Sequence, residues 1–269
     1  MGASIEPHNE KAAGMWGTGG RAYEEVSRFC AAGIEHAVVR LEPKPGQRIL
    51  DAGTGTGWAS RCVAERGAHV VGIDIAEGML NVAREIATER TLDIEYHLAD
   101  AEKLPFADAH FDGVISTFGV MFAGKPGTAA AELTRVCRRG GRLSIVAWLP
   151  DSNAVEMRRV LAPYMPSPPP TPAPSPFNWG TREWMTEAFG KDFDLGFEDG
   201  TVFQREPSDE AAWEVYLRGF GPVKALATAL DDQKRNQLKS DFIKWLHGFK
   251  TELGITIPIT YLVTAGVRK

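Results

Sequence analysis

Three glycines at alternate positions follow a short apolar run in the first quarter of the chain, in the segment ILDAGTGTG (49–57). Glycine has no Cβ, so the backbone can turn sharply there and a ligand can approach it closely. The residues that follow are predicted to be helical, and a helix N-terminus offers free N–H groups and the positive end of a dipole. The spacing therefore predicts a loop that binds a polar ligand through its backbone.

The residues around the glycines restrict what that ligand is. A dinucleotide-binding loop, GxGxxG, needs a glycine where this chain has Trp58 or Ser60, and no Gly-Lys-Ser/Thr of a phosphate-binding loop follows. Asp51 stands just before the glycines, and its charge repels a pyrophosphate but attracts an ammonium or a sulfonium. A cationic ligand is therefore favoured.

Two further acids end later apolar runs. Asp74, at the end of GIDI, can accept hydrogen bonds from both hydroxyls of a ribose, and it can also cap the helix predicted after it. Asp100, in LADAE, can accept a hydrogen bond from the exocyclic amine of adenine, although a solvated loop acid is the alternative. An ammonium acceptor, a ribose acceptor and an adenine acceptor together predict S-adenosylmethionine as the cofactor.

The elements that must position these residues alternate between strands and helices. Strands are predicted at 48–52, 69–73, 94–98, 111–116 and 142–149, and the helices between them at 58–66, 77–90 and 127–138. Such alternation is typical of βαβ units and a parallel sheet, and runs such as VVGIDI suit strands covered on both faces. Because parallel strands end at the same edge of a sheet, the three acids are expected to lie close together.

The rest of the chain is less regular. Helices are predicted at 21–41, 152–164, 184–189, 211–220 and 231–249, and strands at 193–203 and 255–268. The proline-rich segment 165–177 predicts a stiff extended connection, which is either a surface loop or a ligand of a proline-binding module. No run of 18 apolar residues occurs, so no membrane span is predicted.

Composition excludes several classes of protein. The chain has 269 residues, a net charge of −5, 43% hydrophobic and 24% charged residues, which excludes a disordered chain, a collagen and a disulfide scaffold. A mildly acidic chain disfavours a nucleic-acid partner. Three distant cysteines (Cys30, Cys62 and Cys137) and an N-terminus without an apolar run predict a cytoplasmic protein without a structural zinc site.

Five segments resemble the successive motifs of class I S-adenosylmethionine-dependent methyltransferases: ILDAGTGTG, GIDIAEGML, LADAEKLPF, FDGVISTFGVMF and ELTRVCRRGGRLSIVAW. The resemblance is closest to the type 11 branch, which includes the quinone-biosynthesis C-methyltransferases, and it is strong over residues 45–150. It implies an α/β, Rossmann-like three-layer sandwich whose seven-stranded sheet is mostly parallel with an antiparallel last strand. It also implies a helical cap at 1–44, a cofactor-binding core at 45–150, and at 151–269 the last strands with helices 208–250 inserted as a substrate lid.

The resemblance assigns roles to residues by their position in the motifs. The glycine loop with Asp51 holds the methionine moiety, Asp74 the ribose, and Asp100 with Ala101 the adenine, while residues 116–118 border the cofactor near the substrate. The predicted cofactor contacts are Asp51, Ala52, Gly53, Thr54, Gly55, Gly57, Asp74, Ile75, Met79, Asp100, Ala101, Glu102, Ser116, Thr117 and Phe118. The predicted substrate contacts are Trp16, Tyr23, Met121 and Trp179, and no metal site is expected.

The catalytic residues stay unassigned at this stage. Many members of the family carry a histidine after the fourth strand, where this chain reads GVMF, so no general base is predicted. A base is needed only when the acceptor is still protonated, so an ionised acceptor, or a nearby Asp, Glu or Tyr, is favoured. The expected activity is methyl transfer to an O, S, N or C atom of a small, hydrophobic or aromatic metabolite, by a monomer or homodimer. The alternatives are other chemistry in the same cofactor pocket, a nicotinamide oxidoreductase, and a non-enzymatic interaction protein that uses the proline-rich segment.

Overall fold

The computed structural model describes residues 5–166 and 174–269, and a single sheet with helices on both faces dominates these segments. The sheet order is β3-β2-β1-β4-β5-β8-β6, and the short β7 pairs with β8. The strands are β1 Arg48–Ala52, β2 His69–Asp74, β3 Ile94–Leu98, β4 Phe111–Thr117, β5 Cys137–Trp148, β6 Phe193–Glu206, β7 Lys250–Thr251 and β8 Gly254–Arg268.

Ten α-helices occur in the described segments. They are α1 Glu10–Gly17, α2 Tyr23–Leu41, α3 Trp58–Ala64, α4 Glu77–Glu89, α5 Pro126–Val136, α6 Asn153–Leu161, α7 Arg182–Phe189, α8 Asp209–Gly219, α9 Gly221–Ala229 and α10 Asp232–His247. Short 3₁₀ turns lie at Pro7–Asn9, Gly20–Ala22, Val120–Phe122, Ala162–Tyr164 and Pro176–Gly180. None of these helices is both long and apolar enough to cross a bilayer.

Strand direction confirms the predicted fold class. β1 pairs in parallel with β2 and β4, β2 with β3, and β4 with β5, whereas β8 is antiparallel to both β5 and β6. The last strand of the chain is therefore the reversed one. Because crossovers between parallel strands are right-handed, and the β1–β2 and β4–β5 crossovers run in opposite directions along the sheet, α3 and α5 cover opposite faces.

Burial explains why these short runs form strands. Ile49 to Ala52 of β1 and Val70 to Ile73 of β2 are buried on both faces of the sheet, as their unbroken apolar sequences predict. Helix α2 packs across β4, β5, β6 and β8 and against α3 and α8. The carboxyl ends of β1 to β4 consequently open at one edge, beneath the start of α2.

Two local predictions differ from the structure. The helix predicted to reach residue 138 ends at Val136. The Gly140-Gly141 pair, which was expected to form a turn before β5, lies within β5. The register jumps there, from Phe111 opposite Cys137 to Gly113 opposite Arg142. Gly140 has a φ of +70°, so this irregularity needs a left-handed residue that glycine supplies at low cost. Residues 167–173 of the proline-rich segment lie outside the described residues.

Candidate functional site

A cavity opens at the carboxyl edge of the sheet, with an empty volume of about 1030 Å³ that is continuous with solvent. Its wall consists of the loops after β1, β2, β3 and β4, together with the N-terminal segment and one side of α2. This edge of an open α/β sheet is where ligands generally bind.

The three glycines of the first loop have positive φ values of 72° at Gly53, 56° at Gly55 and 84° at Gly57, but their surroundings differ. A Cβ on Gly53 would lie 2.9 Å from the Cα of Gly119, and one on Gly57 would lie 2.4 Å from the hydroxyl oxygen of Tyr96. A Cβ on Gly55 would meet nothing nearer than a ring carbon of Tyr23, at 3.8 Å. Gly53 and Gly57 therefore allow close packing, whereas Gly55 leaves the cavity open.

Asp74, at the end of β2, braces the glycine loop from the side. The amide of Gly55 donates to Oδ2 at 2.8 Å and the amide of Ala76 donates to Oδ1 at 2.9 Å. Burial raises the pKa of the Asp74 carboxyl to about 6, although these hydrogen bonds oppose the shift. Each carboxylate oxygen can accept two hydrogen bonds, so one acceptor position remains on each oxygen.

Asp51 lies beneath the loop and does not line the cavity. Its Oδ2 accepts hydrogen bonds from the hydroxyls of Thr54 and Ser60, both at 2.7 Å, while its Oδ1 is buried without a partner. Burial raises the pKa of this carboxyl, and the two hydroxyls oppose the shift. The side chain therefore holds the loop in shape from below, with one polar atom left unsatisfied.

Asp100, after β3, is 2% exposed and is held by the N-terminal segment. The Asn9 side-chain amide donates to its Oδ2 at 2.9 Å, the Glu6 backbone amide donates to the same atom at 3.1 Å, and the Glu102 amide donates to Oδ1 at 2.9 Å. Three of its acceptor positions are thus filled and one is left. Asp100 and Asn9 both line the cavity.

Glu102 stands behind this wall. Burial works against its ionisation, but hydrogen bonds from the Asn9 side chain at 3.0 Å, the Lys125 amide at 2.8 Å and His8 at 2.7 Å outweigh it and hold its pKa below the usual range. The N-terminal segment thereby bridges two acids that follow β3. Because the NH₂ group of Asn9 serves both carboxylates, the orientation of its amide is fixed.

The other half of the cavity is mostly apolar and is formed largely by α2. Tyr23, Ser27, Cys30 and Ile34 recur at helical spacing along one face of that helix and line the cavity together. Burial raises the pKa of the Tyr23 hydroxyl and of the Cys30 thiol, so both stay protonated at neutral pH. Neither group is a general base in this environment.

Aromatic rings complete this half. Phe118, directly after β4, has a φ of +57° and stacks on Trp148 with ring centroids 3.7 Å apart. A bulky residue in the left-handed region is strained, and such strain concentrates at ligand sites. Trp16 contacts Phe122 at a centroid distance of 5.0 Å and Tyr23 at 6.3 Å. The rings of residues 16, 23, 118 and 122 all line the cavity.

Comparison with known proteins assigns the core of the chain. Residues 50–145 match the family described as a methyltransferase domain. These residues are a class I S-adenosylmethionine-dependent methyltransferase domain. S-Adenosylmethionine is accordingly the cofactor of this domain.

The relatives extend this finding only in part. An uncharacterized protein of Mycobacterium tuberculosis is 38% identical over 144 residues, which are 54% of this chain and 52% of that protein. A demethylmenaquinone methyltransferase of Renibacterium salmoninarum is 40% identical over 121 residues, 45% of this chain and 49% of the enzyme. The chain thus spans about half the length of these curated relatives. The phosphoethanolamine N-methyltransferase 2 of Haemonchus contortus, solved with S-adenosylmethionine, shares the fold: the TM-score is 0.55 at 20% identity, covering 88% of this chain and 52% of that one.

The residues of the methyltransferase domain fit such a cofactor on structural grounds. Gly55 keeps open a space that a Cβ would enter, Asp74 has a free acceptor position on each oxygen, and Asp100 has one. The open backbone at Gly55 matches the amino-acid tail of the cofactor, the two acceptor positions of Asp74 match its two vicinal ribose hydroxyls, and the one acceptor position of Asp100 matches its adenine amine. Among the residues that the structure describes, none in this half of the cavity supplies a cation for a pyrophosphate.

The structure brings together most of the predicted site residues. The cavity wall includes Gly53, Thr54, Gly55, Asp74, Ile75, Met79, Asp100, Ala101, Thr117 and Phe118 of the predicted cofactor set, and Trp16 and Tyr23 of the predicted substrate set. The predicted contacts outside the wall are Asp51, Ala52, Gly57, Glu102, Ser116, Met121 and Trp179. Ser116 is buried behind it, where its hydroxyl donates to the Ala52 carbonyl at 2.6 Å and accepts from the Val120 amide at 3.1 Å.

Trp179 lies away from the cavity because it is part of the core. It is 1% exposed and packs on Trp184, with ring centroids 4.4 Å apart, and near Phe189 at 6.1 Å. The helices inserted between β6 and β8 also contribute no residue to the cavity wall; among the described residues, the wall beyond the sheet comes from the N-terminal segment and α2. The inserted helices support that segment from outside, since Phe220 contacts Trp16 at 5.5 Å.

Sequence reasoning missed several residues of the wall. They are Asn9, Ser27, Cys30, Ile34, Thr56, Ala59, Ile73, Ala99, Gly119, Val120, Phe122 and Ala123. Ser27, Cys30 and Ile34 lie on the same face of a predicted helix as Tyr23. Their helical spacing from Tyr23, which was predicted to contact the substrate, could therefore have indicated them. Asn9 had no such signal, because its partners are more than 90 residues away along the chain.

Proposed function

We propose that this protein transfers a methyl group from S-adenosylmethionine to a small, apolar acceptor, that is, an aromatic or conjugated metabolite. The observation that carries the proposal is the division of one cavity into two halves. Backbone amides and two carboxylates line one half, and aromatic and aliphatic side chains line the other. The two halves meet where the ring of Tyr23 faces Gly55.

In this proposal, the first half holds the cofactor. The backbone of residues 53–55 receives the amino-acid tail, and Asp74 accepts hydrogen bonds from both ribose hydroxyls. The remaining acceptor position of Asp100 receives the adenine amine, with Ala101 beside it. Asp51 acts from below by fixing the loop through Thr54 and Ser60, a placement that its hydrogen bonds support.

The other predicted cofactor residues act through their neighbours. Ile75, Met79 and Thr117 contribute surface to the wall. Glu102 holds the N-terminal segment, and Ser116 joins the loops after β1 and β4 through Ala52 and Val120. Met121 lies in the same 3₁₀ turn as Phe122 and is buried.

The cofactor supplies an electrophilic methyl group on a good leaving group, so the protein's task is alignment and exclusion of water. Ring contacts around Trp16, Phe118 and Phe122 can close the mouth of the cavity over the reacting atoms. A π face near a sulfonium is also favourable. Because the Tyr23 and Cys30 protons are held by burial, neither group removes a proton from the acceptor.

The chemistry of the second half restricts the acceptor. Among the described residues, the acids of the wall are Asp74 and Asp100, both in the cofactor half, and no lysine, arginine or histidine lines the cavity. A phosphorylated or carboxylated acceptor would therefore lack a counter-charge, and a protonated amine would lack a base. An acceptor whose reacting atom itself ionises readily, such as an acidic phenol, an enol or a thiol, fits this wall, because its charge would lie against the sulfonium of the cofactor.

The test combines binding with turnover. Calorimetry with S-adenosylhomocysteine should give saturable binding to the native protein, and Gly55→Val should abolish it. Radiolabelled S-adenosylmethionine should then label acidic phenols, enols or thiols in a metabolite panel, but not phosphorylated amines. Two results together would contradict methyl transfer: tight cofactor binding with no radiolabel in any product, and a cofactor-dependent change in an acceptor's mass that differs from the roughly 14 Da of an added methyl group. They would indicate another reaction in the same cavity.

A further inference from the structure

An ion pair between a buried arginine and a half-buried glutamate joins the two halves of the cavity. Arg61, in the middle of α3, has a side chain that is 2% exposed, and the side chain of its partner Glu24 is 23% exposed. Its Nη2 donates to Oε2 of Glu24 on α2 at 2.9 Å, and its Nη1 donates to the Thr56 carbonyl at 2.6 Å. Its guanidinium carbon also lies 5.6 Å from the ring centroid of Trp58. Within the described residues, Glu24 is the one acid within 4.0 Å of this cation.

Glu24 makes a second contact with the same loop. Its Oε1 accepts a hydrogen bond from the hydroxyl of Thr56, a residue that is itself 1% exposed. The carboxylate thus bridges the end of the glycine loop and the middle of α3. A carboxylate that accepts from one donor in the loop and from a second donor in the following helix fixes both the distance and the rotation of the helix that carries it.

That helix carries the acceptor half of the cavity. Tyr23 precedes Glu24 directly, and Ser27, Cys30 and Ile34 follow on the face of α2 that lines the cavity. The loop on the other side of the ion pair lines the cofactor half through Gly53, Gly55 and Thr56. The contacts of Glu24 with Arg61 and Thr56 therefore connect the wall for the acceptor to the wall for the methyl donor.

We propose that Glu24 is a positioning residue that couples the placement of α2 to occupation of the glycine loop. This inference rests on the proposed function, because it assumes that the glycine loop binds the cofactor. When the loop is ordered by its ligand, Thr56 and Arg61 are fixed, and through Glu24 they hold α2 and its acceptor face in register with the methyl donor. Glu24 touches neither substrate, so its effect passes through Tyr23 and the rest of α2.

Hydrogen exchange with S-adenosylhomocysteine as the probe tests this coupling. In the native protein, the ligand should slow amide exchange both in residues 53–57 and in residues 20–34. In Glu24→Gln the ligand should still slow exchange in the glycine loop but no longer in α2. The matched control is Glu25→Gln, which removes a neighbouring carboxylate of α2 that pairs with Arg218 at 2.7 Å on the surface. The control should behave like the native protein.

Affinity measurements give an independent readout. We expect Glu24→Gln and Arg61→Met each to weaken S-adenosylhomocysteine binding about tenfold, a typical size for coupling between sites, and the double variant to be no weaker than either single one. Glu24→Gln alone leaves the buried charge of Arg61 without its counter-charge, which can prevent the protein from folding. The double variant removes both charges, so it stays informative in that case. Methionine keeps the apolar contact with Trp58.

Three outcomes contradict the proposal. The first is ligand protection of α2 that persists in Glu24→Gln or in the double variant. The second is a double variant whose loss of affinity is the product of the single losses, about a hundredfold, because independent contacts multiply. The third is a Glu24→Gln variant that melts at a lower temperature but whose melting temperature the ligand raises by as much as in the native protein. That result would assign Glu24 a purely structural role. If the native protein did not bind the probe at all, the proposed function itself would fail, which is a distinct result.

Discussion

The titration of Asp74 provides a direct test of the cofactor site. In the free protein, burial raises the pKa of this carboxyl from 3.8 to about 6, against the hydrogen bonds from the Ala76 and Gly55 amides. Two ribose hydroxyls that both donate to Asp74 need the ionised carboxylate, since a protonated carboxyl loses acceptor capacity. Protons should therefore compete with the ligand below pH 6.

The size of this effect follows from linkage. If only the ionised form binds, the apparent dissociation constant rises by a factor of one plus the ratio of protonated to ionised carboxyl. With a pKa of about 6 for Asp74, this factor is about 1.1 at pH 7, about 2 at pH 6 and about 11 at pH 5. The loss at pH 5 corresponds to about 1.4 kcal/mol of binding free energy.

The effect of Asp74 on folding has the opposite sign. Because its folded pKa lies above the unfolded value, the folded state binds the proton more tightly. Ionised Asp74 therefore lowers the free energy of unfolding above pH 6, and this penalty is relieved as the pH falls from about 6 towards 4. Weaker binding at pH 5 would thus not reflect weakening of the fold by this residue.

Calorimetric titration of S-adenosylhomocysteine between pH 5 and pH 8 measures the prediction. Asp74→Asn is the control, because it cannot ionise: its affinity should be lower at pH 7.5 and nearly constant with pH. The variant also corrects for any titration of the ligand itself. A native affinity that is constant from pH 7.5 to pH 5, or an equal pH dependence in Asp74→Asn, would refute the assignment of this carboxylate to the ribose.

Three substitutions separate the roles of neighbouring residues. Gly55→Ala should fold with a loss of about 1–2 kcal/mol for its left-handed φ but should bind S-adenosylhomocysteine poorly, whereas Gly57→Ala should mainly lower thermal stability because its Cβ would meet Tyr96. Equal effects of both on binding and melting would contradict this division. Trp179→Ala should cost about 3–5 kcal/mol of stability, measured by denaturant unfolding, with unchanged affinity under native conditions; a selective loss of affinity would return it to the site. Asn9→Ala should lower stability by about 1–3 kcal/mol for each buried carboxylate that loses a donor, and should weaken ligand binding; calorimetry and melting that match the native protein would exclude a role for the N-terminal segment.

The central sheet was predictable because its signals are local. The runs at 49–52 and 70–73 are followed by Gly53 and Asp74 and are buried on both faces, as expected of strands in a parallel sheet. The end of β6 lies three residues beyond its predicted position, and the other predicted boundaries agree with the structure to within one residue except at the start of β5. There the Gly140-Gly141 pair had the composition of a turn, yet the ladder continues through it with a change of register.

Aromatic side chains were harder to place from sequence. Trp16 and Trp179 were both predicted to contact the substrate. Trp16 lines the cavity, whereas Trp179 lies in the core under α7. Which of the two occurs depends on long-range packing: Trp16 contacts Phe122 and Phe220, which lie 106 and 204 residues further along the chain. Periodicity within a helix carries no information about such contacts, and it also missed α1 and α9, whose glycine content lowers their helical signal.

The electrostatics of the sheet edge explain why the N-terminal segment and the methyltransferase domain depend on each other. The edge concentrates four acids: Asp51, Asp100 and Glu102 are buried, and Asp74 is half-buried. Burying like charges together is costly unless each has its own donors. Within the matched domain, hydroxyls and amides serve Asp51 and Asp74, whereas Asp100 and Glu102 have one backbone donor each there and take their other donors from residues 6–9. Arg61 likewise takes its carboxylate partner from α2. All motifs of the family lie in residues 45–150, yet these residues alone would leave two carboxylates and one guanidinium without part of their partners. We therefore expect the segment predicted as a cap, 1–44, to unfold together with the core rather than separately from it.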